Sequence, residues 1–455
     1  MCMSDDVNIL SVLQKGICCG CGMCAAICPS NRIEMRFSSK DGFYVPHISM
    51  ECPEKCGMCL KVCPFGGDNQ STLDVTAGIF GLVPGIKNDA VMGHYLETYV
   101  GYSDEHRKKS ASGGLATWFL EALLSKNLID GTICVGHDPA SATLFSYKVN
   151  HSIEEVRECS GSCYQPVEIS RVIRHILKHD GRYAVTALPC VARGLRLAMS
   201  LDPRLNKRIH CIVGLVCGGM KKSHYIEYVL RKWIRTNERP KKLAMRYKKA
   251  GADPTDVTFA FWMPGKEDPE LVSFSDGIGR SFCDGSFNLD ACSYCDDVFA
   301  ECADVTFMDA WLDEYSGLFG GYSLALIRTP EAYAMFERDL TNDILQISKI
   351  EPQKVLESQT RVGVVANKRI LNGCNYNTAN KKNVNVSRIR SLKPRWDQWV
   401  ESSIKRSLMK QSKYYWIKCD GDHELFDSKM LFLRLFYAVF RRVRNIYLKM
   451  AGRAR

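Results

Sequence analysis

Two short runs of closely spaced cysteines constrain this chain more than any other feature of its sequence. Residues 18–29 read CCGCGMCAAICP and residues 51–64 read ECPEKCGMCLKVCP, so a cysteine-rich unit occurs twice and each copy ends in proline. A 4Fe-4S cluster needs four converging thiolates, and x2 spacing lets one tight loop present three of them while its backbone N–H groups point at the sulfides. The two runs therefore predict iron–sulfur clusters. The cysteines concerned are Cys18, Cys21, Cys24, Cys28, Cys52, Cys56, Cys59 and Cys63.

Two other uses of clustered cysteines fit the sequence less well. Zinc sites of four thiolates usually separate two CxxC pairs by a longer loop, and they do not use a third and fourth cysteine before a proline. Disulfide scaffolds are usually small secreted modules, whereas this chain has 455 residues and 22 cysteines. Its first residues, MCMSDDVNIL, lack the basic segment and the long apolar segment of a signal peptide. We therefore expect reduced thiols and a cytoplasmic protein.

The two cysteine runs resemble the motifs of bacterial two-cluster ferredoxins, in which the cysteine before the proline ligates the opposite cluster. The resemblance implies that Cys63 completes the first cluster and that Cys28 completes the second. The second run opens with three intervening residues where the family usually has two, so Cys52 departs from the family pattern. The ferredoxin-type domain is predicted to cover residues 1–75. The spacing gives no ligand role to the remaining cysteines of the two chain ends, which are Cys2, Cys19, Cys374 and Cys419.

Length and charge place limits on the rest of the chain. With 46% hydrophobic residues, 455 residues can form a large core and more than one domain. No apolar run reaches the roughly 18–20 residues that a transmembrane helix needs. The formal charge is +11, and residues 401–455 carry +8 of it, with 13 basic and 5 acidic residues. The body of the chain is therefore close to neutral, which argues against nucleic acid as a partner.

A glycine-rich motif opens a predicted helix after residue 110. Ser112, Gly113 and Gly114 precede apolar residues at helical spacing, beginning with Leu115. The free N–H groups of such a helix start suit a phosphate, and three basic residues, 107–109, lie just upstream. A simple helix cap explains the same pattern. A buried strand is predicted to follow at residues 128–136.

Two later segments each run from a predicted strand into a turn that carries a cysteine. The apolar run 183–188 stops at Pro189 and Cys190, and the run 212–216 stops at Cys217. Strands joined by a helix are normally parallel neighbours, so both cysteines should meet at the edge where open α/β sheets bind ligands. The pair Cys292 and Cys295 would complete four thiolates for a third 4Fe-4S cluster, unless the strand-end cysteines are ordinary core residues. Four other cysteines could substitute: Cys163, Cys211, Cys283 and Cys302.

The order of five motifs identifies a family resemblance. SASGG, LPC, LVCGG, CSYC and ADVTFMDAW resemble segments of the family of coenzyme F420 hydrogenase/dehydrogenase beta subunits. The resemblance implies an FAD domain at residues 90–345, in parts of about 90–160 and 160–345. It implies FAD contacts at Ser112, Gly113 and Gly114, and a flavin-side cluster on Cys190, Cys217, Cys292 and Cys295. The family's PCQ and VCHG motifs carry Val191 and Gly218 here, so the usual substrate contacts are altered.

The C-terminal residues 376–455 are predicted to form a polar linker, to about residue 400, followed by a basic amphipathic helix. Basic residues fall between apolar ones that recur at helical spacing. The apolar stripe could dock on the protein's own body, on a partner protein or on an anionic membrane. Its residues are Phe432, Leu435, Phe436, Val439, Phe440, Val443, Ile446, Tyr447 and Met450.

Together, the motifs predict an α/β iron–sulfur flavoprotein: a ferredoxin-like domain, a flavin domain with a mainly parallel sheet, and a basic helical extension. Its function would be to pass electrons between 4Fe-4S clusters and FAD, with ferredoxin or coenzyme F420 as redox partner. No acid–base residue is identifiable. The alternative is a non-catalytic electron-transfer component of a larger complex, associated with the inner membrane face or with polysaccharide biosynthesis. A third hypothesis is a zinc-bearing interaction protein, which, unlike an iron–sulfur protein, would be colourless when purified.

Overall fold

A computed structural model of the protein describes residues 8–450, apart from 51, 53–55, 67–68, 250–252, 254, 341–344, 366–381 and 383–394. Most of the predicted polar linker lies outside the described residues, as do Cys2 and Cys374. The prediction of a linker is wrong for its last part, because residues 396–400 begin a helix of 23 residues. The helix buries the apolar side chains of Ile404, Leu408 and Trp416. The sequence prediction missed the helix because the residues near its start are mostly polar.

The N-terminal region consists of short helices around one antiparallel hairpin. Both cysteine-bearing helices start after a glycine in the left-handed region, Gly22 at φ +85° and Gly57 at φ +58°. The two cysteine runs therefore share one local geometry, as expected of a repeat. The elements are α1 (Leu10–Gln14), α2 (Met23–Ala26), β1 (Ile33–Ser38), β2 (Phe43–Ile48) and α3 (Met58–Lys61).

The remaining chain alternates strands with helices. The strands are β3 (Lys87–Asp89), β4 (Gly93–Tyr95), β5 (Glu97–Tyr102), β6 (Gly131–His137), β7 (Phe145–Asn150), β8 (Tyr183–Ala187), β9 (Ile209–Leu215), β10 (Lys242–Ala244), β11 (Thr258–Trp262), β12 (Glu270–Ser273), β13 (Val305–Asp309), β14 (Ser323–Ile327) and β15 (Gln346–Lys349). The helices are α4 (Thr72–Phe80), α5 (Asp104–Arg107), α6 (Leu115–Ser125), α7 (Ile153–Glu158), α8 (Ser170–Ile176), α9 (Pro189–Leu201), α10 (Pro203–Arg208), α11 (His224–Val229), α12 (Ile278–Cys283), α13 (Asp313–Ser316), α14 (Pro330–Asp339), α15 (Pro352–Arg361), α16 (Trp396–Lys418) and α17 (His423–Met450).

A large mixed sheet forms the centre of the molecule, in the order β15-β5-β14-β13-β9-β8-β6-β7. Its four neighbouring strands β13, β9, β8 and β6 are mutually parallel, and the strands at both flanks pair antiparallel. Helix α9 connects β8 to β9, as the apolar runs predicted. The prediction of an α/β fold with a mainly parallel sheet, a ferredoxin-like region and a helical C-terminal extension is confirmed.

Each face of the sheet is covered by helices, because residues on both faces of the central strands are apolar. Val185 and Ile212 face the layer of α8, α9 and the ferredoxin-like α2. Ala184 and Val213 face the layer of α6 and α14. The ferredoxin-like region is therefore part of one core with the sheet, since α2 and α9 share that layer. This position brings its cysteines close to the strand ends.

A second core lies beside the sheet. It is built from the small sheet β10–β11–β12 and the two C-terminal helices, around the aromatic residues Tyr225, Tyr228, Phe259, Phe287, Trp416 and Phe426.

Residues 66–95, which the sequence suggested to be a loose connection, contain α4 and the hairpin of β3 and β4. Among the described residues, none of the helices combines the length and the apolar character that crossing a membrane requires.

Candidate functional site

The first predicted set of cluster ligands lies together in the N-terminal region. Burial raises the pKa of the Cys24 thiol most, and the nearby thiols of Cys21, Cys18 and Cys63 raise it further, with a smaller effect of Cys59 from the second set. Burial likewise raises the pKa of Cys63, with smaller effects of the Cys21 and Cys18 thiols. Burial also raises the pKa of Cys18 to about 12. The N–H of Gly20 donates to Cys18 Sγ at 3.4 Å. The structure thus groups the cysteine of the second run, Cys63, with the first loop.

The second predicted set lines a small cavity of about 20 Å³. Cys28 from the first run lies there beside Cys52, Cys56 and Cys59 from the second. The N–H of Arg32 donates to Cys28 Sγ at 3.4 Å. Cys52 therefore lies with the other three in spite of its irregular spacing.

These two sets fit 4Fe-4S clusters in their donor chemistry. The grouped donors are thiols, their surroundings are apolar, and backbone N–H groups point at two of the sulfurs. Within the described part of the chain, no three His, Cys, Asp or Glu side chains converge closely enough to hold a metal ion. Thiolates that bind the corners of a cube lie further apart than the ligands of one ion. Because buried thiols resist ionisation, bound iron would be what keeps them as thiolates.

A large cavity, of about 340 Å³, opens at the ends of the parallel strands. Cys190 follows β8 and Cys217 follows β9, and both line this cavity together with Cys292 and Cys295. The N–H of Met220 donates to Cys292 Sγ at 3.3 Å. The structure thus brings the four cysteines predicted for an inner cluster to one cavity.

The four substitute cysteines are placed differently from one another. Cys163 also lines the large cavity. Cys211 and Cys302 belong to the two cores on either side of the sheet, and Cys283 is exposed. Among these four, only Cys163 lies near the predicted inner set.

Cys19, which the spacing left without a role, lies between the two groups of cysteines. It lines the large cavity with Cys21, and its thiol contacts those of Cys21 and Cys190. The doubled cysteine in the sequence was the signal that could have identified this position.

The start of α6 forms another wall of the large cavity. Ser112 and Gly114 line it, together with the hydroxyls of Ser110, Thr117 and Ser160. No side chain caps the helix, and Gly114 lies in the left-handed region at φ +83°. Free N–H groups at a helix start attract anions, so this wall suits a phosphate group.

Gly113 lets the same helix start approach the central sheet. A Cβ atom at Gly113 would lie 2.6 Å from the carbonyl oxygen of Gly101 in β5 and 2.7 Å from the nitrogen of Ser323 in β14. Ser112 Oγ donates to the carbonyl oxygen of Tyr322 at 2.6 Å. The SASGG motif is therefore fixed to the two strands by close backbone contact.

Two basic residues from the small sheet region surround this motif. Lys248 Nζ donates to the carbonyl oxygens of Ser112, at 2.8 Å, and Gly320, at 2.7 Å. Burial, together with a smaller effect of the nearby Arg246 guanidinium, lowers the pKa of Lys248 to about 8. Arg246 donates to Asp309 Oδ2 at 3.0 Å and to the carbonyl oxygen of Ala111 at 3.2 Å. The sequence did not point to these residues because more than 130 positions separate them from the motif.

The basic residues that the sequence did suggest lie around the same loop. Arg107 stacks on the ring of Tyr102 at 3.7 Å and donates to the carbonyl oxygen of Phe319 at 2.7 Å, while Lys108 and Lys109 are exposed.

Asp309 is the only carboxylate among the described lining residues of the large cavity. The two altered family positions, Val191 and Gly218, line it too.

Comparisons with protein families match three parts of the chain. Residues 98–174 match the N-terminal part and residues 180–353 match the C-terminal part of the family described as coenzyme F420 hydrogenase/dehydrogenase, beta subunit. Residues 17–67 match the 4Fe-4S dicluster domain. The first two matches together cover more than half of the chain.

Individual relatives are distant. The chain is 24% identical to a subunit of the F(420)H(2) dehydrogenase of Methanosarcina mazei over 48% of this chain and 57% of the relative. It is 28% identical to an uncharacterized protein of Methanocaldococcus jannaschii over 42% of this chain and 55% of that relative. The chain thus spans little more than half the length of these curated relatives. A chain of the F420-reducing [NiFe] hydrogenase complex from Methanosarcina barkeri is similar with a TM-score of 0.47 and 18% identity, over 62% of this chain and 92% of that one.

Proposed function

Because the chain belongs to the family of coenzyme F420 hydrogenase/dehydrogenase beta subunits, we propose that it is an iron–sulfur flavoprotein oxidoreductase. Single electrons pass through clusters in the N-terminal region and through an inner cluster to a flavin in the large cavity. The flavin's two-electron partner is coenzyme F420 or another hydride acceptor or donor. The matched dicluster domain supports the iron–sulfur part of this proposal.

The observation that carries the proposal is one apolar cluster that contains cysteines of all three predicted sets. Cys24, Cys59 and Cys63 form its buried part, and Cys28, Cys190 and Cys295 pack against it. Cys19 contacts Cys190 directly. Sulfur atoms therefore extend from the N-terminal loops to the wall of the large cavity, which is the arrangement that short electron-transfer steps require.

The large cavity fits a flavin with a phosphate-bearing tail. Its volume of about 340 Å³ lies within the range of ligand pockets. The start of α6 would bind the phosphates, and Lys248 and Arg246 would contribute positive charge beside it. Apolar residues such as Leu120, Val191 and Phe307 line the cavity and would exclude water from the ring. A flavin bound here supplies the conversion between one-electron and two-electron transfer.

Cofactor content measured on the full-length protein tests the proposal. After anaerobic purification, we expect about twelve iron atoms per chain, because three cubes hold four each, and one FAD. The protein should reduce or oxidise coenzyme F420 when a ferredoxin-type one-electron partner is present. Four or fewer iron atoms, or a colourless zinc protein, would contradict the electron path.

A pair of matched variants tests the inner cluster. Cys217→Ser should lower the iron content by about four atoms per chain, because it removes a thiol at the cavity wall. Cys211→Ser changes a buried cysteine within β9, the strand that precedes Cys217; Cys211 lies in the core outside the cavity, and the variant should keep the full iron content. Equal iron loss in both variants, or no loss in Cys217→Ser, would exclude Cys217 as a ligand.

A second function is favoured by the chemistry of the cavity wall. Its described residues include no histidine and a single carboxylate, Asp309, which is already paired with Arg246. These residues suit electron transfer without substrate turnover, as in an accessory component of a larger complex. Purified protein with a full set of clusters but no flavin would favour this second function.

A further inference from the structure

Helix α17 presents a continuous apolar stripe to solvent. Side chains that recur every three or four residues are between 48% and 85% exposed along more than four helical turns. Isolated exposed apolar residues are common, but a continuous stripe of this length marks an interaction surface. The outward stripe consists of Phe432, Leu435, Phe436, Val439, Val443, Ile446 and Met450.

The opposite face of α17 is fixed to the protein, so the helix cannot turn the outward stripe inward. Arg444 donates to Asp397 Oδ2 at 2.8 Å and to Glu401 Oε2 at 2.6 Å on α16. The hydroxyl of Tyr228 donates to Asp427 Oδ1 of α17 at 2.7 Å, and Tyr437 is buried. One expectation from the sequence is that the apolar stripe docks on the body and the charges face solvent. Of that stripe, Phe440 packs against the second core, whereas the residues of the outward stripe are exposed.

The surroundings of the outward stripe are basic. Residues 428–450 include six basic residues and no acidic one. Arg441, Arg442 and Lys449 are exposed near the far end of the helix. Two copies of α17 that met through their stripes would bring these charges together without any acidic counterpart, which disfavours a dimer.

Aromatic residues lie beside the same end of the helix. Trp396 is 59% exposed and Trp399 is 42% exposed at the start of α16. Trp396 and Tyr447 of α17 make an edge contact with ring centroids 5.8 Å apart. Trp and Tyr side chains are enriched at the boundary between lipid tails and water.

We propose that the outward stripe lies on the surface of an anionic phospholipid membrane. The apolar side chains would enter the boundary between headgroups and acyl chains, and the arginine and lysine side chains would contact lipid phosphates. The stripe from Phe432 to Met450 is about 27 Å long, at 1.5 Å per residue. The inward contacts hold the helix against the protein, so it lies on the membrane and does not cross it.

Flotation of the full-length protein with lipid vesicles tests this proposal. We expect the protein to float with vesicles of phosphatidylglycerol and phosphatidylcholine, to bind pure phosphatidylcholine at least about tenfold more weakly, and to dissociate from the anionic vesicles at high salt. Absence of binding to the anionic vesicles would overturn the proposal, whatever the cofactor content of the protein.

Substitutions on the stripe separate the membrane from other occupants. Val439→Asn with Val443→Asn should weaken anionic vesicle binding at least about tenfold, with unchanged circular dichroism and iron content. The control Val362→Asn changes a valine that is also exposed but lies outside α17, and should bind normally. Vesicle binding that survives the double substitution would overturn the proposal. The proposal would also be overturned if the unaltered protein formed a concentration-dependent dimer instead of binding vesicles, and if the double substitution disrupted that dimer.

Discussion

Asp397 is one of two buried carboxylates, with Glu401, that connect the two C-terminal helices. Its side chain is 1% exposed, and it accepts hydrogen bonds from Arg395 Nη2 and from Arg444 Nε, both at 2.8 Å. These two guanidinium groups, with Arg395 contributing more, lower the pKa of Asp397 to about 2. The contact between α16 and α17 therefore depends on an ionised carboxylate.

The pairing of Asp397 predicts a loss of stability in acid. Because the folded pKa lies below the unfolded value, the contribution is complete above about pH 4 and is lost as pH falls toward about 2. Asp397→Asn should remove it at neutral pH and lower the free energy of unfolding by about 1 kcal/mol, allowing for solvent screening. Proteolysis of the C-terminal helices at pH 7 would measure this effect.

The control for this measurement is Glu424→Gln on α17, because Glu424 is exposed. It should leave the proteolysis rate at pH 7 unchanged. If Asp397→Asn were as resistant as the unaltered protein, the ion pair would not be what holds the two helices together.

At the scale of secondary structure, the start of α6 is the element on which flavin binding depends in our proposal. Its position is set by backbone contact, because Gly113 lies directly on Gly101 and Ser323. Any side chain at this position must push the helix start away from the sheet. The same displacement would move the free N–H groups that face the large cavity.

Gly113→Ala should therefore lower the bound FAD below half of its normal content and destabilise the fold by about 1–3 kcal/mol. The clusters of the N-terminal region should keep their iron, since they lie on other elements. Flavin fluorescence and iron analysis on the same sample would separate the two effects.

Gly78→Ala is the matched control, because Gly78 lies in α4 with no atom within 4 Å of its Cβ position. This change should leave the flavin content unchanged and stabilise the protein by up to about 1 kcal/mol. Normal flavin content in Gly113→Ala would contradict the proposed role of the helix start.

The strands and helices that the sequence predicted are those with a strong local pattern. The apolar runs at 183–188 and 212–216 correspond to β8 and β9, because strands buried on both faces are apolar throughout. The hairpin of β1 and β2 and the small sheet β10–β11–β12 were not predicted, since their patterns are short and mixed. Arg246 and Lys248 reach the site through long-range packing, which spacing along the chain does not encode. The family resemblance was confirmed, whereas FAD and the individual site residues remain proposals.

At the scale of the whole molecule, the ferredoxin-like region is attached to the body through backbone groups. Arg174 of α8 donates to the carbonyl oxygens of Ala25 and Ile33, both at 2.7 Å. The N–H of Ile169 donates to the carbonyl oxygen of Cys21 at 3.0 Å. One arginine thus links a cluster-bearing helix, the hairpin and the body.

Arg174→Ala should loosen this attachment, because it leaves two carbonyl groups without their donor at a cost of about 1–3 kcal/mol. We expect faster proteolytic release of the N-terminal region and slower electron transfer from the reduced N-terminal clusters to the flavin. Stopped-flow absorbance would follow the transfer.

Arg171→Ala is the control for this change, since Arg171 lies on the same helix and is exposed. It should affect neither measurement. If Arg174→Ala transferred electrons at the normal rate and resisted proteolysis normally, the attachment would not depend on this side chain.

The exchange of cysteines between the two N-terminal loops has a consequence for biosynthesis. Cys63 lies with the first loop and Cys28 lies with the second. In a nascent polypeptide, the second group of four sulfurs is complete only after residue 59 has emerged from the ribosome, and the first group only after residue 63. Iron delivery must therefore wait for the whole N-terminal segment, and a truncation between the loops would deprive both sites of a ligand at once.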